Sequence, residues 1–149
     1  MIKLEDSLLF RTQETTRKAS RVINEILGKH GSTQVQWTAL HFLSENPGIN
    51  QSTLAQLMQI QSSTTVRLID RMIRDGLVKK DQLSADRRNT VLSCTQKGLE
   101  LYRQIKPHAE NIDSQLSSNI TDEETRLFLE ILEKFEQNLK TYTCCSEAE

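Results

Sequence analysis

A mainly α-helical fold with one small β-wing is the class this sequence predicts, on three observations. Residues 50–98 hold two short amphipathic runs, then two β-prone runs around a charged tip. That order reads as a helix, a tight turn, a second helix and a hairpin, which is a winged helix-turn-helix. On either side, apolar residues recur at helical spacing over about 4–29 and about 99–140. Two prolines and five glycines in 149 residues leave those flanks free to form long helices.

In chain order, Leu4, Leu8, Ala19, Val22, Ile23, Ile26 and Leu27 form a loose stripe that predicts one helix over 4–29, ending near Gly28 and Gly31. Thr33 suits the N-cap of a second helix carrying Val35, Trp37, Leu40, Phe42 and Leu43, and Asn46-Pro47-Gly48 is a turn. Asn50 caps a third helix with Leu54, Ala55, Leu57 and Met58 on its apolar side. A fourth begins near Ser62. Its inner face is Thr65, Leu68, Ile69, Met72 and Ile73, which leaves Ser62, Ser63, Val66 and Arg67 on another face near its start. Arg71 and Arg74 continue that face, and Gly76 suits the left-handed position after the helix. Small hydroxyls beside free helix N–H groups accommodate phosphate, and Arg67 has the reach for a phosphate or a guanine edge.

The hairpin pairs Leu77 and Val78 with Thr90, Val91 and Leu92, and its tip carries Asp86, Arg87 and Arg88. An aspartate two residues before an arginine can hold the guanidinium in one rotamer by a charge-assisted pair. Thr95 then caps a long helix to about Ser117, in which Pro107 predicts a kink or local break. Thr121 with Glu124 forms a capping box for the last helix, whose face is Leu127, Phe128, Ile131, Leu132, Phe135 and Leu139; the tail from Thr141 is expected to fray.

Net charge is −1, yet it is unevenly spread. Residues 60–97 hold eight Lys/Arg against four Asp/Glu, while residues 98–149 hold five against eleven. The field near a nucleic acid is set by the local patch, so the total does not exclude DNA. No nucleophile motif, phosphate-cradling glycine loop or paired carboxylates are present, which argues against an enzyme and predicts no cofactor. His30, His41 and His108 lack metal-ligand spacing, so no metal is expected. Nothing approaches 18 consecutive apolar residues and the start lacks a signal peptide's apolar core, so the expectation is a cytoplasmic protein without membrane contact. Cys94, Cys144 and Cys145 read as reduced thiols, Cys94 at an apolar position where it should be buried and inert.

Thr33-x-x-Gln36-Trp37-x-x-Leu40, Leu54-Ala55, Ser63-Thr64-x-x-Arg67-Leu68-x-Asp70-Arg71, Asp75-Gly76-Leu77-Val78, Asp86-Arg87-Arg88 and Leu92-Ser93-x-Thr95-x-Lys97-Gly98 occur in the order found in the MarR-type transcriptional regulators. The sequence resembles that family over nearly its whole length. The resemblance implies a single MarR-like domain over 1–149, with a DNA-binding winged-helix lobe at about 33–98 and dimerisation helices at about 4–29 and 99–140. It implies a homodimer on a pseudo-palindromic operator in double-stranded DNA, acting as a repressor released by a small-molecule effector. Ser62, Ser63, Thr64, Val66, Arg67, Arg71, Asp86, Arg87 and Arg88 would face DNA, with Arg88 in the minor groove and Asp86 as its partner. Arg11, Trp37 and His41 would line the effector space. Val66 departs from the family's frequent Ser or Thr, and an apolar side chain there suits a thymine methyl. Peroxide-sensing relatives use a cysteine in the first helix, which this chain lacks, so oxidation is not expected to be the main switch. The alternatives are a winged-helix protein-interaction module or a metal-responsive regulator of the same fold.

Overall fold

A computed structural model describes residues 3–82 and 90–146. The elements are α1 (Leu8–Gly28), α2 (Gln34–Glu45), α3 (Gln51–Met58), α4 (Ser62–Arg74), β1 (Val78–Gln82), β2 (Thr90–Cys94), α5 (Gln96–Leu116) and α6 (Asp122–Ser146). The mainly helical class with a two-stranded antiparallel wing is as expected. Contacts divide the chain into two compact units, Met1–Ile112 and Asp113–Glu149, with the division inside α5. Among the described residues no helix is long and apolar enough to cross a membrane.

Local chemistry sets the helix ends. Thr33 and Gln36 form a reciprocal capping box at the start of α2, and the Asn50 carboxamide oxygen accepts the Thr53 N–H at 2.8 Å to open α3. At the end of α4, Gly76 adopts φ +73°, the Leu77 N–H reaches the Met72 carbonyl and the Gly76 N–H reaches that of Ile73. This pair of bonds is a Schellman closure, which needs a left-handed residue that glycine supplies without a Cβ penalty. The same closure ends α3, but its left-handed residue is Gln59 at φ +52°.

The core of the first unit joins Ala39, Leu40 and Leu43 of α2, Leu54 of α3, Leu68, Ile69 and Met72 of α4, Leu77, Val78 and Leu92 of the wing, and Tyr102 of α5. The wing pairs Val78 with Cys94 through Gln82 with Thr90. Ile49 bridges to Leu92 on the other edge of β2, so the turn after α2 is stitched to the wing. The start of α5 closes the same corner. Thr95 Oγ1 donates to the Gly76 carbonyl at 2.6 Å and Lys97 Nζ to that of Asp75 at 2.7 Å. The open carbonyl end of α4 thereby receives a hydroxyl and a cation, both favoured there.

The structure departs from the expected helix bounds at two places, and at Pro107 it shows no break. The predicted helix over 4–29 is interrupted: Leu4–Asp6 is a 3₁₀ turn and Ser7 is extended, its hydroxyl oxygen accepting the Phe10 N–H. Serine competes with helical bonding inside a helix and caps well, so the helix starts after it. Pro107 does not break α5, which runs through it. Its fixed φ suits a helix, and only one backbone donor is missing. The backbone of α6 remains helical beyond Thr141 to Ser146.

Candidate nucleic-acid interface

The high amphipathicity of α4 decides what it shows to the outside. Thr65, Leu68, Ile69 and Met72 are buried, and Ile73 is half-buried, as the spacing predicts. Ser62, Ser63, Thr64, Val66, Arg67, Arg71 and Arg74 are all exposed. At about 100° per residue, Ser63, Arg67 and Arg74 lie near the middle of this outer face, with Val66 on one flank.

The start of α4 differs from the other helix starts. Side chains of Ser7, Thr33, Asn50, Thr95 and Thr121 each accept a backbone N–H at the start of their helices. Gln61, at the N-cap of α4, makes no such bond. Its carbonyl takes the N–H groups of Thr64 and Thr65, and those of Ser62 and Ser63 have no acceptor among the described residues, as is usual for the first two residues of a helix. Two outward N–H groups, two exposed hydroxyls and the positive end of the helix dipole together suit a phosphate oxygen.

The surrounding charges are partly spoken for. Asp70 is paired with Lys80 of β1 at 3.3 Å, and Arg74 lies 3.9 Å from Asp75. Arg67 and Arg71 have no hydrogen bond or ion pair among the described residues. On the wing, Asp81 accepts from Lys79 Nζ at 2.8 Å and from the Ser93 hydroxyl at 2.9 Å, which hold its carboxyl below the usual aspartate value. The expectations for Asp86, Arg87 and Arg88 lie outside the described residues.

A second cluster lies in the first unit, away from the outer face of α4. Trp37 and His41 stack at 5.9 Å between ring centroids, and His41 Nδ1 is 3.1 Å from the Tyr102 hydroxyl of α5. Trp37 Nε1 is buried with no hydrogen-bond partner among the described residues. Such a donor costs about 1–3 kcal/mol unless something accepts from it. Arg11 of α1 pairs with Glu14 at 3.7 Å. Tyr102 escaped the sequence reading because its partner lies 61 residues away. His30 instead stacks on His108 at 3.9 Å, and no group of three or more metal-ligating side chains occurs among the described residues. Cys94 is half-buried, its Sγ 3.9 Å from the Leu40 carbonyl, and burial pushes its pKa up to about 11.

Comparison with known proteins shows what this arrangement belongs to. The sequence model of the MarR family matches residues 32–90, which hold α2 to the start of β2. The structure of a MarR protein from Peptoclostridium difficile is 30% identical, covering 95% of this chain and 94% of that one, with a TM-score of 0.80. The chain belongs to the MarR family. Among curated MarR-type relatives, the homoprotocatechuate degradative operon repressor of Escherichia coli is 27% identical over 132 residues, 89% of each chain. The S. aureus MepR–DNA complex shares the fold, with a TM-score of 0.82 at 18% identity, over 89% of this chain and 98% of that one. These relatives are transcription regulators rather than enzymes, and the chain is a transcriptional regulator of the MarR family.

Proposed function

We propose that the chain is a homodimeric, sequence-specific repressor that binds a pseudo-palindromic operator in cytoplasmic double-stranded DNA and is released by a small aromatic anion. The observation that carries the DNA reading is the start of α4. Its Ser62 and Ser63 N–H groups are free among the described residues, beside exposed Arg67 and Arg71. Phosphate contacts of this kind set register, and Arg67 and Val66 beside them reach the base edges. By resemblance, Asp86, Arg87 and Arg88 of the wing add a minor-groove contact.

A second copy is supported by apolar surface that one chain leaves open. Leu8 and Leu9 of α1 are 65% and 58% exposed, and Phe128 and Leu139 of α6 are 57% and 61% exposed. Within each unit, exposed apolar side chains of this kind suit an interface with another copy. The effector reading is supported by the buried, unpartnered Trp37 N–H beside the His41 ring. A flat ring would stack there and a carboxylate would accept from the indole. The name of the Escherichia coli relative points the same way, toward aromatic acids.

Two measurements test this. Purified protein is incubated with random duplex DNA, and bound sequences are selected and titrated at several salt concentrations. A palindromic consensus with salt-dependent affinity is expected; no binding at low salt to any duplex would move the protein-interaction reading ahead. Trp37 is the single tryptophan, so its fluorescence reports the effector site directly. Homoprotocatechuate and related aromatic acids should quench it and weaken operator binding together. Quenching by none of them would remove the aromatic-anion reading while leaving DNA binding intact.

A further inference from the structure

The exposed N-terminal face of α4 is polar except at one place. Ser62, Ser63 and Arg67 offer hydrogen bonds, whereas Val66, 42% exposed, offers only methyl groups. Its neighbours Thr65 and Ile69 are fully buried, so the core is complete without it. An isolated surface valine is unremarkable elsewhere. Here it sits one residue from Arg67 and one turn from the free N–H groups of Ser62 and Ser63. A helix that anchors phosphates by those groups brings Val66 to the base edges.

In the major groove every base edge presents hydrogen-bond donors or acceptors, and thymine alone adds a methyl group, at C5. A hydrogen-bonding edge facing Val66 would lose water and gain no partner, whereas a methyl would lose only unfavourable hydration. Valine in a helix holds essentially one side-chain rotamer, so its methyls are already placed and little ordering is required on contact. Asp70, one turn further on, lies on the same side and is paired with Lys80 at 3.3 Å, which offsets its repulsion of phosphates.

We propose that Val66 is a specificity-determining residue that reads the C5 methyl of one thymine in each half-site of the operator. This rests on the DNA-binding reading of α4. It requires an operator with a fixed T·A pair, one per half-site, next to the position set by Arg67.

The test uses the full-length protein and the consensus duplex from the selection. Each thymine is replaced in turn by deoxyuridine, which removes the C5 methyl and nothing else. Burying one methyl-sized group is worth about a factor of four, so the wild-type protein should lose about fourfold for one thymine in a half-site and roughly fifteenfold for both. Val66→Ser and Val66→Ala should bind the consensus more weakly, and Val66→Ser should be indifferent to that same replacement. Because Val66 is exposed, both variants should keep the wild-type melting temperature, which separates lost contact from lost fold. Two results overturn the proposal: a wild-type protein that tolerates deoxyuridine at every thymine, or a Val66→Ser protein that remains as sensitive as the wild type. A protein that binds no duplex at all would end the DNA-binding reading and this inference with it, whereas tight binding without methyl sensitivity would end this inference alone.

Discussion

Gly28 and Gly98 are both helical glycines, and replacing each by alanine should change stability in opposite directions. A Cβ built on Gly98 would overlap the Leu77 carbonyl oxygen, lie 3.0 Å from that carbonyl carbon and 3.3 Å from Leu40 Cδ2. The carbonyl cannot easily retreat, because it accepts the Thr95 N–H at 3.0 Å. Carbon–oxygen contacts settle near 3.3–3.6 Å, so the start of α5 must move by about 1 Å away from the wing. Overpacking of this kind costs about 1–3 kcal/mol, and the helix propensity of alanine over glycine returns about 0.8–1.0 kcal/mol. The net loss is up to about 2 kcal/mol, or a melting temperature lower by several degrees at roughly 2–4 °C per kcal/mol for a chain of this size. Nothing lies within 4 Å of a Cβ on Gly28, so there only the propensity gain applies and the melting temperature should rise by about 1–4 °C. Thermal unfolding followed by circular dichroism at one fixed protein concentration reads both, since an oligomer's midpoint moves with concentration. A Gly98→Ala protein more stable than the wild type would refute the close packing of α5 on Leu77.

Gln59 holds a left-handed conformation, so Gln59→Gly should stabilise by roughly 0.5–1 kcal/mol in urea denaturation, and a loss of stability would mean that the carboxamide makes a contact worth more than the strain. The Cys94 thiol, raised by burial from 9.0 to about 11, should alkylate about a hundredfold more slowly at pH 8 than a free thiol in unfolded chain, and mild peroxide should leave operator affinity unchanged; rapid labelling of Cys94 in native protein would refute this. The sign of its pH effect follows: the unfolded chain releases this proton first, so the stability Cys94 contributes is complete below about pH 9 and is lost between pH 9 and 11. Arg67→Ala should cost roughly 1–3 kcal/mol per half-site and relax preference at one base position, whereas Arg88→Ala should weaken all sequences alike and lower the salt slope by about one unit per wing; identical behaviour of the two would place Arg67 on a phosphate. Sedimentation at micromolar concentration should give about twice 17.1 kDa, and a monomer that still binds a full palindrome would remove the dimer.

Local features were legible in the sequence where their cause is local. Asn50, Thr33 and the Thr121–Glu124 pair cap the helices they precede, because a cap needs only residues three apart. The buried face of α4 followed from its spacing, and Gly76 from the left-handed position after it. Ser7 was misread because Leu4 and Leu8 continue the stripe of α1 across it, and periodicity does not reveal a cap inside its own pattern. Gln59 was missed because glutamine is no turn residue; Met58 and Ile60 on either side of it are half-buried against the core, and the left-handed residue between them closes α3. The pairs His41 with Tyr102 and Ile49 with Leu92 join distant segments and leave no trace in one sequence, whereas the approach of His30 and His108 is implied by the resemblance to the family and not by their spacing.

The same difference explains why two motifs recognised separately are one device. Asp75-Gly76-Leu77 ends α4, and Thr95-x-Lys97-Gly98 starts α5. Thr95 and Lys97 donate to the carbonyls of Gly76 and Asp75, and Gly98 lets α5 approach Leu77. The carbonyl end of the helix proposed to read DNA is therefore held by the first turn of the helix that carries Tyr102. About one turn further along α5 than Gly98, about 6 Å, Tyr102 bonds His41 in the proposed effector cluster. A ligand that moves Tyr102 or His41 acts on α5, and α5 cannot shift at Gly98 without pulling hydrogen bonds from the end of α4. Coupling of effector to operator through this corner predicts that Thr95→Val, which removes the bond to Gly76 and the cap on α5, reduces the loss of operator affinity caused by the effector more than it reduces effector binding to Trp37. Fluorescence and operator titrations on one preparation give both numbers. Equal release in Thr95→Val and wild type would mean that the signal reaches α4 by another path, such as a change in the spacing of two subunits.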